Sequence, residues 1–192
     1  LWRNADAVVE CFGGSKTAAT VEEFVAEATG NFRALPSPPF MHGAGHWIAM
    51  RTWLTGGTII VQSQPDRLDA DDIWGLIEKE KANFLLIVGD AFARPLLDGL
   101  ATSTRDLSSL LSILSGGAPL SAHLKVEFHQ YLPSVMLVDG LGSSEAGGQL
   151  SQVASGDSST TGSFPMAPQN HILSEDLTSE LQAGHEGLGW LA

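Results

Sequence analysis

Apolar residues recur along this chain at two spacings, one helical and one extended, in alternating blocks. Residues 1–12 (LWRNADAVVECF) set Trp2, Ala5, Val8, Val9 and Phe12 near one helix face, and Gly13-Gly14 would stop that helix. A second short helix is predicted over 20–29, with Thr20 as N-cap and Glu22 and Glu23 in its first turn. Three prolines in 35–40 (LPSPPF) predict an extended loop or an edge segment. A largely apolar helix follows over 46–54, closed by Gly56-Gly57, and then a short strand over 58–62.

The strongest amphipathic pattern begins at Asp69, which can cap a helix running to about residue 81, with Ile73, Trp74, Leu76 and Ile77 on its apolar side. The run 84–88 (FLLIV) predicts a buried strand, 91–100 a helix in which Pro95 is tolerable only near the first turn, and 110–114 a further strand. A helix opened by Ser121 over 121–131 and a strand over 135–138 complete the series. Trp53 and Trp74 occupy apolar helical positions and are expected in the core, whereas His123 and His129 are expected to face solvent. Strands alternating with helices of about ten residues predict an α/β fold with a mostly parallel sheet, flanking helices and βαβ crossovers. After Gly148 the composition turns to Ser, Gly, Thr and Pro, so residues 1–150 form the expected α/β portion and 151–192 a loop followed by a small β-rich tail. The chain opens without Met and closes in the strand-like Gly189-Trp190-Leu191, which predicts a piece of something larger.

With 192 residues, the chain is longer than most single domains and too short for two full ones. The net charge is −12 and no Lys/Arg-rich block opposes it, so a nucleic-acid partner is not expected. A small anion is still admissible, because backbone N–H groups or a cation can hold it locally. One cysteine, Cys11, permits no internal disulfide, and there is neither a signal pattern nor a transmembrane-length apolar run. The expected setting is cytoplasmic or peripheral to a membrane.

The candidate chemistry lies in glycine-rich turns. Ser115-Gly116-Gly117-Ala118-Pro119 follows one predicted strand, and Asp139-Gly140-Leu141-Gly142-Ser143-Ser144-Glu145 follows the next. In an open α/β sheet the carboxyl ends of the strands form the ligand crevice, and small residues there let a flat or charged ligand reach the backbone. Gly13-Gly14-Ser15-Lys16-Thr17 is not a phosphate-binding Walker loop, since Glu10 and Ser15 stand where glycines are required. His42 and His46 have the spacing of a zinc pair, but Gly43 and Gly45 between them make a poor helix. Gly142-Ser143-Ser144-Glu145-Ala146 is one residue from the nucleophile elbow of serine hydrolases, with Asp176 and His185 downstream in triad order. A serine hydrolase is therefore one alternative, and a non-catalytic binding remnant is another.

Taken together and in order, several segments resemble the adenylate-forming (AMP-binding) superfamily, and within it the bacterial fatty-acyl-CoA synthetases. They are Pro39–Gly45 (PFMHGAG), Val88–Pro95, Asp106–Leu110, Ser115–Ser121, Asp139–Glu145 and Gly187–Ala192. The resemblance implies a two-step ligase. ATP and a fatty or other hydrophobic carboxylic acid give an acyl-adenylate and pyrophosphate, and the thiol of CoA then displaces AMP. It implies that Gly117, Ala118 and Pro119 line the adenine, with Asp139, Gly140, Leu141 and Gly142 at its edge. Ser144 would contact phosphate, Glu145 would hold Mg²⁺, and His42 would stand beside the acyl carboxylate. Gly43, Ala44 and Trp47 would border the acyl pocket. Leu141 departs from the Tyr or Phe usual at the stacking position. The family's phosphate loop would precede Leu1, and its ribose-binding Asp, the following Arg and the lid with its Lys would follow Ala192. On this resemblance the parent is an enzyme and the 192 residues alone do not turn over.

Overall fold

The computed structural model describes residues 20–143, 147–154, 160–166 and 170–192. The helix expected over 1–12 lies outside them. Helix α1 (Val21–Ala26) is capped by Thr20, whose hydroxyl accepts from the Glu23 N–H at 3.2 Å. It ends before the expected residue 29.

A six-stranded sheet runs in the order β2-β1-β3-β4-β5-β6. The first five strands are parallel and β6 joins antiparallel to β5. Strand β1 (Arg33–Pro36) lies between β2 (Thr58–Ile59) and β3 (Phe84–Ile87), which corrects the loop or edge expected from the prolines. Ala34 O accepts from Ile60 on the β2 side, while Ser37 N donates to Leu86 on the β3 side. By the alternation of a strand, the missing N–H of Pro36 points towards β2, which has already ended, so no ladder bond is lost.

Helix α2 (Gly43–Leu54) starts three residues earlier than expected, because His42 caps it and its glycines are helical after all. Gly45 is required by contact: a Cβ there would stand 2.8 Å from both the Pro38 and Pro39 carbonyl oxygens. The helix turns Ile48, Ala49 and Thr52 inward, and Trp53, expected in the core, is 63% exposed. Its apolar character runs all round, so periodicity alone could not choose the buried face.

Helix α3 (Ala70–Glu80) begins at the expected cap, with Asp69 Oδ1 accepting from Asp72 N at 3.2 Å. Trp74 is 1% exposed, and its indole N–H donates to Leu96 O at 2.9 Å. All four residues of β3 are buried, as a strand covered on both faces requires. Helix α4 (Gly89–Leu100) carries Pro95 beyond its first turn. Ala91 and Pro95 are both exposed, so water can meet the carbonyl that the proline leaves without a donor.

Strand β4 (Ser112–Gly116), helix α5 (Ala122–Tyr131), strand β5 (Met136–Ser143) and strand β6 (Gly147–Ala154) follow. Residues 139–143 are thus strand rather than turn, because β6 pairs along the whole of this stretch while β4 pairs with it as far as Gly140. The register shifts between Leu141 and Gly142, where a Cβ on Gly142 would lie 2.2 Å from Gly147 O. The main sheet therefore reaches past residue 150. A small antiparallel pair, β7 (Ile172–Leu173) with β8 (Trp190–Leu191), forms the expected β tail.

One core joins the sheet to α3, α4 and α5 through residues such as Trp74, Leu85, Leu97, Ile113 and Phe128. A smaller one on the opposite face joins Ala34, Phe84 and Leu86 to Ile48 of α2. His129 departs from expectation, since its Nε2 is buried without a hydrogen-bond partner among the described residues. At the amino edge of the sheet, Asp106 accepts from the Ser108 N–H and from Lys81, each at 3.0 Å.

Two consequences can be measured. Trp74→Ala removes both the indole volume and its hydrogen bond, and should lower unfolding free energy by about 3–5 kcal/mol in a denaturant titration. Hydrogen bonds from Ser108, then Lys81, hold the Asp106 carboxyl well below the usual carboxylate range. Its contribution is full above the unfolded value of about 3.9 and is lost as pH falls below it. Asp106→Asn should lower stability at neutral pH and flatten the acid limb of the profile below about pH 4, so that variant and parent converge in acid.

Candidate functional site

Because β1, β3, β4 and β5 are parallel, the segments that follow them emerge at one edge of the sheet. After β1 the chain reaches His42 at the start of α2. Beyond β3 it makes the Val88-Gly89 entry to α4, and beyond β4 the Gly117-Ala118-Pro119 strip. The glycine-rich half of β5 completes the edge.

His42 Nδ1 accepts from the Ala44 N–H at 3.3 Å. In the neutral ring the proton is therefore assigned to Nε2, which becomes a donor. Gly117 lies beside this ring. A Cβ on Gly117 would stand 3.3 Å from His42 Cε1 and 3.8 Å from Nε2, and the residue has φ +89°. Two sequence-derived candidates, 75 positions apart in the chain, are thus neighbours, and the glycine leaves room for the imidazole.

The Gly117–Pro119 strip is fixed from the α4 side. Gly89 N donates to the fully buried Ser115 Oγ at 3.0 Å, and Asp90 N donates to Pro119 O at 3.1 Å. Gly89 has φ +53°, and a Cβ there would come within 2.5 Å of Pro119 O. Asp90 in turn accepts from Ser121 N at 2.7 Å and from the Ser121 hydroxyl. Burial raises the Asp90 carboxyl, but the Ser121 bonds, with His123 and Lys125 nearby, outweigh it and hold the group below its ordinary value. The strip is consequently anchored at its Ser115 end by a buried hydroxyl and at its Ser121 end by a carboxylate that stays ionised near neutrality.

Across the sheet, Gly116 registers with Gly140 and Ser115 with Asp139. A Cβ on Gly116 would stand 3.4 Å from Gly140 O, so the two glycines give a flat backbone surface. Leu141 follows, 41% exposed. The Asp139 side chain is turned the other way, towards α5, and its carboxylate pairs with Lys125 at 2.6 Å with both residues buried. Asp139 thus leaves only its backbone to the ligand edge. Gly43 and Ala44 occupy the first turn of α2, and Trp47, half-buried, lies on the next. Phe40 and Met41 are exposed just ahead of His42.

Ser144 and Glu145 fall between the last residue of β5 and the first of β6, outside the described residues. Among the described residues no group of three or more His, Cys, Asp or Glu side chains stands close enough to hold a metal. The hydrolase alternative gains no support from its downstream residues. Asp176 Oδ1 accepts from Ser174 Oγ at 2.6 Å and from Thr178 Oγ1 at 2.9 Å, and no hydrogen bond joins Asp176 to His185. No helix among the described residues is long and apolar enough to cross a membrane.

Sequence reasoning missed Lys125 as a site-supporting residue, and it named Ser115 and Asp90 only within longer segments, without the contacts through which they support the site. Lys125 had a readable signal. It sits among Ser121, Leu124 and Phe128 on the inward spacing of an amphipathic helix, where a lysine needs a buried partner. The carboxylate it would find was not legible without the sheet register.

Solved structures with the same fold include amide bond synthetase McbA from Marinactinospora thermotolerans, at a TM-score of 0.70 and 21% identity over 97% of this chain and 36% of that one. Another is O-succinylbenzoate coenzyme A synthetase from Bacillus subtilis in complex with ATP and magnesium ion, at a TM-score of 0.63 and 16% identity over 86% and 33% of the two chains. Among curated relatives, the medium-chain acyl-CoA ligase Mig of Mycobacterium avium is 37% identical over all of this chain and 36% of its own length. A medium/long-chain-fatty-acid–CoA/3-oxocholest-4-en-26-oate–CoA ligase of Mycolicibacterium smegmatis is 34% identical over all of this chain and 37% of its own. The chain thus spans little more than a third of the length of these relatives. Residues 9–190 match the family described as AMP-binding enzyme, and the chain belongs to that family.

Proposed function

We propose that these residues form the nucleotide- and carboxylate-facing part of an acyl-CoA synthetase, an acid–thiol ligase whose remaining catalytic groups lie elsewhere in a longer protein. In the first step a carboxylate oxygen attacks the α-phosphorus of ATP and pyrophosphate leaves. In the second, the sulfur of CoA attacks the acyl carbon and AMP leaves. The observation that carries the reading is the meeting of His42 with Gly117 at the carboxyl edge of a parallel sheet, in a chain 37% identical to an acyl-CoA ligase.

In this reading the glycine strip Gly117-Ala118-Pro119 lies along one face of the adenine, and the backbone of Asp139, Gly140 and Gly142 borders its edge. Leu141 offers an apolar surface without an aromatic face, so the stacking that gives roughly 1–3 kcal/mol per base in nucleic-acid binders is missing. The His42 Nε2–H donates to the carboxylate as it approaches phosphorus, orienting it and offsetting the charge that gathers there. Gly43 and Ala44 leave space at the start of α2, and Trp47 supplies an apolar wall for the acyl chain. The names of the relatives favour a medium- or long-chain fatty acid or a bulky polycyclic acid.

Ser144 is assigned to a phosphate oxygen and Glu145 to Mg²⁺. One carboxylate suffices for such a site, because Mg²⁺ commonly takes one or two protein carboxylates and completes its shell with substrate phosphates and water. The cation would neutralise charge on the phosphates. A cytoplasmic setting, where ATP and CoA are available, belongs to the same reading. So does the division near residue 150, with β6 carrying the sheet a few residues beyond it.

The full-length protein should catalyse carboxylate-dependent ATP–pyrophosphate exchange across a series of acids, and the 192-residue chain alone should not. Absence of exchange with every acid in a folded full-length protein would sink the reading in favour of a non-catalytic binding protein. Gly117→Ala presses a methyl group on the His42 ring and strains a positive φ. It should lower kcat/KM for the acid by roughly tenfold, a barrier change of about 1.4 kcal/mol.

A further inference from the structure

Behind the ligand edge of β5 runs a chain of polar contacts that the reaction above does not use. Lys125 is 1% exposed and Asp139 2%. The Lys125 ammonium donates to Asp139 Oδ2 at 2.6 Å and to the Thr160 carbonyl oxygen at 2.7 Å. Thr160 Oγ1 lies 2.9 Å from Nε2 and 3.1 Å from Oε1 of Gln152, the β6 residue registered with Asp139. The hydroxyl of the next residue, Thr161, accepts from Ala122 N in the first turn of α5 at 2.8 Å. One lysine therefore ties together α5, the middle of β5, β6 and the segment at 160–161.

Two buried ions lose their hydration, and an apolar pair of similar volume would commonly give equal or greater stability. An ion pair supplies direction instead, since its hydrogen bonds hold only at one separation and angle. Asp139 immediately precedes Gly140-Leu141-Gly142, and its β4 partner Ser115 immediately precedes the strip Gly116–Pro119. With Leu141 unable to stack as an aromatic ring would, the fit of a base there depends on how closely these two backbone surfaces are spaced.

We propose that Lys125 is a positioning residue for the nucleotide site, acting through Asp139 and Thr160. It locks β5 and residues 160–161 onto α5 as one unit and so sets the separation of the Gly140–Gly142 backbone from the Gly117–Pro119 strip. As far as the nucleotide is concerned, this rests on the ligase reading.

The test uses the full-length protein with the paired change Lys125→Met/Asp139→Leu, which leaves no lone charge buried, and with Lys125→Arg, which keeps the charge. The paired variant should melt no lower than the parent. Its KM for ATP and its AMP dissociation constant should rise by roughly tenfold, with a much smaller change in KM for the acid. Amide hydrogen exchange should accelerate at 139–143 and 160–166 and not in β3. Lys125→Arg should recover most of the nucleotide affinity. If the paired variant does not fold, Lys125→Gln, which keeps a donor for Asp139, is read by the same criteria. Unchanged ATP KM together with unchanged exchange at those two segments overturns the proposal. If the parent binds no adenine nucleotide, the ligase reading is what fails. The positioning role then stands or falls on the exchange rates alone.

Discussion

Parallel pairing of β1, β3, β4 and β5 is the constraint on which the rest of this structure depends. A parallel neighbour can be reached only by a crossover that returns the chain to the starting edge, so each strand must deliver its following segment to the same side. That requirement brings His42, Gly89, Gly117 and Gly140 to one edge although nearly a hundred residues separate the first from the last. It also means that the strands need burial on both faces. The four buried positions of β3 and the two cores, one on α3, α4 and α5 and the other on α2, meet that need.

The polar groups of the interior serve the same edge. Among the described residues, the fully or nearly fully buried polar side chains include Ser115, Lys125 and Asp139. Ser115 receives the Gly89 N–H, and Lys125 joins Asp139 to Thr160. Asp90 and Ser121 add a half-buried clamp on the loop between β4 and α5. Such contacts contribute little net stability compared with apolar packing, and burying them without partners would be costly. Their concentration under the glycine loops gives those loops a defined geometry. The surface pairs elsewhere, such as Arg94 with Glu127, bind helix to helix in water and contribute less.

Glycine has two distinct roles at this edge. At Gly89 and Gly117 the backbone takes a positive φ that lets two loops approach each other and lets the His42 ring approach a loop. Gly116 and Gly140 have no such requirement. They remove side chains from adjoining strands and leave backbone exposed, which is what a flat heteroaromatic ligand needs. The structure thus separates glycines that shape the protein from glycines that shape the ligand site.

Local pattern by itself determined the helices with strong amphipathic periods, their caps at Thr20 and Asp69, the buried strand at 84–87, the α/β class and the glycine segments at strand ends. Each of these follows from interactions within a few residues, or from the burial that an apolar run demands. Tertiary structure decided what depends on distant partners. Pro36 lies inside the sheet because β2 is short, the glycine run 139–143 is a strand because β6 pairs with it, and α2 turns Trp53 outward because its inner face packs on β1 and β3. It also decided that the Asp139 carboxylate faces Lys125 rather than the ligand edge. Strand register and helix rotation are set by contacts between segments far apart in sequence, and no local spacing encodes them.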